Sequence, residues 1–339
     1  MLKQLPAVKE VNDVSPDSLA EFLSTGIEQP VLFKGLINDW PAVKAGKASP
    51  KSSIQYLAER SEPMQVGVGQ IPKQAAGRLF YNERFDGFNF ERRSEEFSTF
   101  LETMNTVITQ KNGDGHYMGS TSVDRLMPKF RLINDIGALA SKSPLVSIWI
   151  SNQTQVATHQ DLPDNLACGI AGRRRFTLFP PSQIDNLYIG PIDLTPAGQP
   201  ISLVNLNAPD FDVFPKFKTA LEHAQVAELA AGDALFLPSL WWHNVESLES
   251  FNVLINYWWQ ESNKATGAPI DALTHAIMNI GSLSAQQKQA MKHLFDFYVF
   301  NEDETALDHI PKEALGILDK KSEISVRKIR AMLLNKLNR

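Results

Sequence analysis

His159 and Asp161 stand two positions apart in Thr154-Gln-Val-Ala-Thr-His-Gln-Asp161. On a strand, residues i and i+2 share a face, so this imidazole and this carboxylate would project side by side. One nitrogen and one oxygen donor on a face make two thirds of a 2-His-1-carboxylate facial triad. That set suits non-haem Fe(II) and leaves positions open for a co-substrate and oxygen. With seven histidines in the chain, His-x-Asp alone is a weak signal and needs a third ligand. His243 offers one, in Gly232-Asp-Ala-Leu-Phe-Leu-Pro-Ser-Leu-Trp-Trp-His-Asn-Val-Glu246. A histidine after two tryptophans in apolar sequence reads as part of a barrel wall. Taken singly it would more simply be a core histidine bonded to a backbone carbonyl; with His-x-Asp upstream, the ligand reading gains ground.

Short strands must position these residues. Leu145–Ser151 reads as the strand feeding the His159 strand, and Leu166–Ile170 and Arg173–Phe179 read as a hairpin about Ala171-Gly172. Gly232-Asp233 is a turn signal, Leu235–Leu237 a strand ended by Pro238, and Trp241–Glu246 the next strand. Alternation puts Arg174 on one face of its strand and Arg173 and Arg175 on the other. Between the halves of the site lies a long insertion, residues 182–224, punctuated by Pro191, Pro196, Pro200, Pro209 and Pro215. It is expected to be irregular and to edge the substrate opening.

Upstream, the pattern predicts a mixed α/β lead-in. Helices are expected from Ser15-Pro16-Asp17, from Ser49-Pro50 and over Ser94–Met104, with strands at Pro30–Gly35, Met64–Val68 and Leu79–Tyr81. Beyond Ser262 the composition shifts to helix formers. Ile270, Leu273 and Ile277 share a face, Ser284-x-x-Gln287 is a capping box opening a helix to about Phe300, and two more helices are expected at 311–319 and 323–337. The division is therefore a β domain over 1–262 and a helical region over 263–339.

His159-x-Asp161, Gly172-Arg-Arg-Arg-Phe-Thr-Leu-Phe-Pro-Pro181, Gly232-Asp233 with Pro238-x-x-Trp-Trp-His243, and Asn256-Tyr-Trp258 together resemble a JmjC domain. The similarity is to its cupin-like, factor-inhibiting-HIF-like hydroxylase branch, and runs from about residue 10 to residue 262. The resemblance implies a mainly β fold with helices: a double-stranded β-helix (jelly-roll) core, an α/β N-terminal part and a C-terminal helical bundle that dimerises. It also implies Fe(II) at His159, Asp161 and His243, with 2-oxoglutarate as co-substrate. Tyr117, Asn165, Arg174 and Asn256 fall where the family contacts that co-substrate. Arginine at 174 departs from the lysine of the asparaginyl hydroxylase; it can still grip a carboxylate bidentately. Val156 replaces a threonine contact. For Tyr117 the other reading is a half-buried strand residue, for the two asparagines structural bridging, and for the Arg triplet a solvated hairpin. Asp rather than Glu in the triad favours hydroxylation, with a protein or peptide side chain as the substrate class implied.

Bulk properties bound the rest. A 43% hydrophobic fraction with nineteen phenylalanines suffices for a real core. The single Cys168 forms no internal disulfide and fits a reducing cytoplasm. No apolar stretch is long enough to cross a bilayer, and the N-terminus lacks a signal-peptide core. A formal charge of −5 gives no reason to expect nucleic-acid binding by the whole chain. The last segment is nonetheless basic through Lys320, Lys321, Arg327, Lys328, Arg330, Lys336 and Arg339. A non-catalytic metal-binding cupin and an RNA-modifying hydroxylase stand as the alternatives.

Overall fold

The computed structural model describes residues 5–110, 113–196, 198–260, 267–303, 305–319 and 322–338. The chain divides into two compact units, 1–260 and 261–339. The boundary read at 262/263, and Lys320, Lys321 and Arg339, lie outside the described residues.

The first unit is a mainly β double-layer. In chain order its strands are β1 (Lys9–Val11), β2 (Val31–Phe33), β3 (Gln65–Ile71), β4 (Arg78–Leu79), β5 (Glu91–Glu96), β6 (Gly115–Ser122) and β7 (Leu145–Ser151). There follow β8 (Gln155–Gln160), β9 (Asp164–Ala171), β10 (Arg173–Phe179), β11 (Gln225–Ala230), β12 (Ala234–Leu237), β13 (Trp242–Ser247) and β14 (Asn252–Trp259). They form a nine-stranded sheet, β1-β2-β12-β9-β14-β7-β6-β3-β5, and a five-stranded sheet, β11-β10-β13-β8-β4. From β7 to β10, and again from β11 to β14, consecutive strands alternate between the sheets, and most neighbours are antiparallel: the jelly-roll pattern the resemblance implied.

Helices cover the outer face of the larger sheet. They are α1 (Leu19–Leu23), α2 (Pro41–Ala48), α3 (Pro50–Ala58), α4 (Phe97–Val107) and α5 (Val123–Leu126). Val43, Leu57, Phe97, Phe100 and Met104 pack there with Ile148, Ile150, Val253 and Ile255 of the central strands. Each fully buried aromatic or branched side chain contributes about 1.5–3 kcal/mol. Part of the space between the sheets is filled by Phe176, Leu178, Leu235, Leu237 and Leu254. The outer face of the smaller sheet carries the insertion: Leu187, Val204, Leu206 and Phe217, the last from α6 (Phe217–Glu222), close over Phe179 and Trp242.

Four local expectations change. Residues 166–179 are not a hairpin, because β9 pairs with β12 and β14 while β10 pairs with β11 and β13. Ala171-Gly172 is instead the corner where the chain leaves one sheet for the other. Gly172 turns there at φ 71°, and a Cβ would lie 2.4 Å from the Phe251 carbonyl oxygen. Ser94–Glu96 is strand rather than helix, since Gly67 and Gln65 pair with Ser94 and Glu96 and cross-strand bonding overrides local helix propensity. The first helix starts at Leu19 and not at Ser15, because Ser15 and Ser18 spend their hydroxyls on each other and on a tight turn.

The fourth change falls in the second unit, which is helical: α7 (Pro269–Ile280), α8 (Ala285–Tyr298) and α9 (Glu323–Leu337). The Ser284–Gln287 capping box is formed in both directions. No α-helix spans 311–319; Gly316 at φ 56° splits it into single 3-10 turns at 312–314 and 316–318. Among the described residues no helix is long and apolar enough to cross a membrane.

Candidate metal centre

His159 lies on β8 and His243 on β13, and the antiparallel register sets the two directly opposite each other. Their ring centroids are 4.3 Å apart. Asp161 follows one residue beyond the end of β8, so it joins the pair from the start of a turn, not from a regular strand position. Donor atoms of the three residues all lie within 4.8 Å of one another, and His243 Nε2 is 3.7 Å from Asp161 Oδ2. Bonds of roughly 2.1 Å at right angles would set cis donors about 3 Å apart, close to the 3.7 Å between His243 and Asp161.

Two backbone devices hold this geometry. His159 Nδ1 is 2.8 Å from the Ala157 carbonyl oxygen, and His243 Nδ1 is 3.0 Å from that of Trp241. With Nδ1–H donating to those carbonyls, each ring keeps its Nε2 lone pair free as a ligand. The second device joins the ligand-bearing segments. Leu240 N–H donates to the Asp161 carbonyl at 2.8 Å, Ser239 N–H donates to Asp164 Oδ1 at 2.9 Å, and the Ser239 hydroxyl donates to the Leu162 carbonyl. Upstream, Asp233 accepts from Gly35 N–H at 2.9 Å and pairs with Lys34, so the Gly232-Asp233 turn is anchored to β2. Burial first, then the neighbouring charge of His159, pushes His243 down to about 4, which keeps it neutral and able to ligate near neutrality.

The triad sits in a cavity of about 370 Å³ between the sheets, also lined by Tyr117, Asn165, Arg174 and Asn256. All seven residues singled out in the sequence therefore border one space. Arg174 is 5% exposed and makes one long bond from Nη2 to the Trp149 carbonyl at 3.5 Å; among the described residues Nε has no partner. Among the described residues no carboxylate pairs with it, and burial lowers its pKa to about 10, leaving it cationic at pH 7. Asn256 donates to Asn165 Oδ1 at 2.6 Å, so the two asparagines bridge each other while Asn256 Oδ1 stays unpartnered. Burial raises the Tyr117 hydroxyl well above its ordinary range, keeping it a neutral donor. Val156 lines the cavity without a polar atom, as the sequence departure implied.

Sequence reasoning missed two donors. The indole nitrogens of Trp149 and Trp258 are buried without partners among the described residues, and both side chains line the cavity. Trp258 was findable, since it stands at i+2 from Asn256 on β14 and so shares its face. Trp149 carried no such signal within the apolar run of β7.

Buried polar groups are ordinarily satisfied, so unpartnered donors around one cavity fit a polar guest. A cation at the far end from two imidazoles and a carboxylate fits a divalent metal together with an anionic chelator. The donor set is that of a non-haem iron site.

A pocket with a candidate metal-binding triad inside a double-stranded β-helix defines the class, and comparison with known proteins gives the family. Residues 20–265 match the cupin-like domain family, and the chain belongs to it. Over 271 residues it is 27% identical to lysine-specific demethylase JMJ31 of Arabidopsis thaliana, covering 71% of this chain and 47% of that protein. Over 250 residues it is 24% identical to tRNA wybutosine-synthesizing protein 5 of Gallus gallus, covering 68% and 70%. Over 263 residues it is 38% identical to HSPB1-associated protein 1 of Bos taurus, covering 74% and 52%. The chain thus spans about half the length of several curated relatives it matches.

Proposed function

We propose that the protein is an Fe(II)- and 2-oxoglutarate-dependent hydroxylase acting on a protein side chain. The observation that carries this reading is the pairing of the convergent His159, Asp161 and His243 donors with a buried, carboxylate-free Arg174 in one cavity. His159, Asp161 and His243 would hold the iron. When bound, the metal and 2-oxoglutarate supply the oxidising power to place one oxygen atom of O₂ in a substrate C–H bond, with succinate and CO₂ as co-products.

The chain's own residues do the rest. Arg174 and the neutral Tyr117 hydroxyl grip the far carboxylate of the co-substrate. Trp149 and Trp258 offer indole N–H groups to its oxygens, and Asn256, held by Asn165, orients its amide toward the same space. The apolar side chains of Val156, Phe176, Val245 and Leu254 exclude water. The backbone bonds to His159 and His243 keep both rings in the ligating tautomer throughout.

Anaerobic titration of 2-oxoglutarate into the Fe(II)-loaded protein tests this reading. A visible charge-transfer band is expected in the wild type and absent in Asp161→Ala. Iron binding without that band would leave a non-catalytic cupin instead. The RNA-modifying alternative predicts substrate binding that weakens steeply with added salt, and salt-insensitive binding would count against it. Relatives are named for lysine demethylation and for tRNA wybutosine synthesis; the aspartate at position 161 supports the hydroxylase reading over demethylation.

Pairing of two copies through the helical region is part of the same proposal. Its support is apolar surface: Leu273, Ile277, Leu294 and Leu334 are each about half exposed (50–55%) on α7, α8 and α9. Sedimentation of the full chain should give a dimer that Leu334→Glu splits. A cytoplasmic setting is supported by the single, free, buried Cys168.

A further inference from the structure

We propose that a second chamber, sharing a wall with the metal cavity, docks an aromatic amino-acid side chain of the substrate. The chamber has a volume of about 280 Å³, and Tyr117, Ser120, Trp149 and Val156 line both it and the metal cavity. Its floor is paved with glycine: Gly67 and Gly69 of β3 and Gly119 of β6.

Glycine inside a strand costs about 0.5–1 kcal/mol relative to alanine and often marks a place where a ligand approaches the backbone. Gly67 has no other explanation in the fold. Its φ is not in the left-handed region, and a Cβ built there would meet nothing within 4 Å. Neither backbone conformation nor packing requires glycine, and what its bare face leaves is open space. Val66 and Val68 bury their side chains in the core behind the sheet, so Gly67 faces the other side, where it is exposed beside the chamber that Val68 also borders. At Gly69 a Cβ would lie 3.4 Å from the Phe90 ring, and at Gly119 3.7 Å from that of Tyr117.

Aromatic walls complete the site. Phe90, Tyr117 and Trp149 border the same space, with Phe88 stacked on Phe90 at 5.4 Å. Arg92 stands at the mouth, its guanidinium 4.5 Å over the Phe88 ring and bonded to the Pro196 carbonyl. A flat ring between a bare sheet and aromatic walls buries both faces and gains edge or offset contacts with each neighbour. The volume falls just under the roughly 300 Å³ at which pockets for drug-sized molecules begin, room for one ring system. That the docked ring belongs to a substrate rests on the hydroxylase reading; the docking itself requires no metal.

The test is fluorine NMR titration of 5-fluoroindole into the full chain. Saturable binding is expected, weakened tenfold or more in Gly67→Leu and unchanged in Asp161→Ala, so failure of the metal reading leaves this readout intact. No saturable binding to the wild type, or equal affinity in a cooperatively unfolding Gly67→Leu, overturns the proposal. If Gly67→Leu loses its cooperative transition, Gly67→Ala takes its place: threefold weakening supports the site and undiminished binding overturns it. Cyclohexylmethanol displacing the probe as readily as indole does would refute planarity. Displacement by N-acetylphenylalaninamide supports docking of an aromatic amino-acid side chain, and displacement by adenosine but not by that amide would overturn it.

Discussion

The two faces of β10 carry the same residue type in opposite circumstances. On the outer face Arg175 pairs with Glu228 at 2.7 Å and Glu246 at 3.5 Å, and Arg173 with Glu249 at 2.8 Å. On the inner face Arg174 is buried with no carboxylate partner among the described residues. Solvent screens the outer pairs, which therefore add little to stability. A cation buried without a counter-charge destabilises the fold and is retained where a charged guest completes it. The difference separates surface decoration from site, although three consecutive arginines look alike in the sequence.

The largest expected effect comes from breaking the inner face at the metal. Asp161→Ala should lower Fe(II) affinity by more than the roughly 10–100-fold typical of losing an outer-shell partner, measured by competition with a chelator. Affinity equal to the wild type would remove Asp161 from the ligand set.

Arg174→Met should raise the apparent Kd of 2-oxoglutarate by about 10–100-fold, the worth of a hydrogen bond to a charged group. Urea unfolding of the same metal-free variant should show stability equal to the wild type or higher. A marked loss there would mean that Arg174 is structural. Arg174→Lys, which keeps the charge but not the fork, should fall between the two.

A third effect concerns pH. The folded-state pKa of His243 is depressed to about 4, so between that value and about 6.5 the unfolded chain binds a proton that the folded chain refuses. Stability of the metal-free protein from this group is complete above about 6.5 and should fall as pH drops toward about 4. His243→Asn should flatten that slope in denaturation curves recorded across the window. An unchanged slope would show that other groups carry it.

Smallest is the outer face. Arg175→Met should cost about 0.2–1 kcal/mol, less in high salt, and leave co-substrate binding untouched. A change in 2-oxoglutarate affinity there would erase the contrast between the faces.

Much of the site was legible because side-chain period and local chemistry reach the sequence directly. Alternation along Arg173–Phe179 sent Arg174 inward, and Pro238 and Gly232-Asp233 marked the ends of the short strand before His243. Where tertiary partners override local preference, reading failed. Ser94–Glu96 had helix-forming neighbours but gained a strand partner in β3, and the corner at Gly172 looked like a hairpin because turn chemistry does not say which sheet the next strand joins. The two asparagines lining the cavity could not be known to bond each other, since 91 residues separate them.

By itself the amino-acid order determined which side chains could ligate a metal, which arginine faced inward and that short strands would carry them, because these depend on residue chemistry and a two-residue period. Only the folded chain decided that β8 and β13 lie in register with His159 opposite His243, that Arg174 meets no acid among the described residues, and that bare glycines floor a chamber beside the site. Those facts depend on which strands pair and how two sheets close, and pairing partners far apart in a chain leave no local trace.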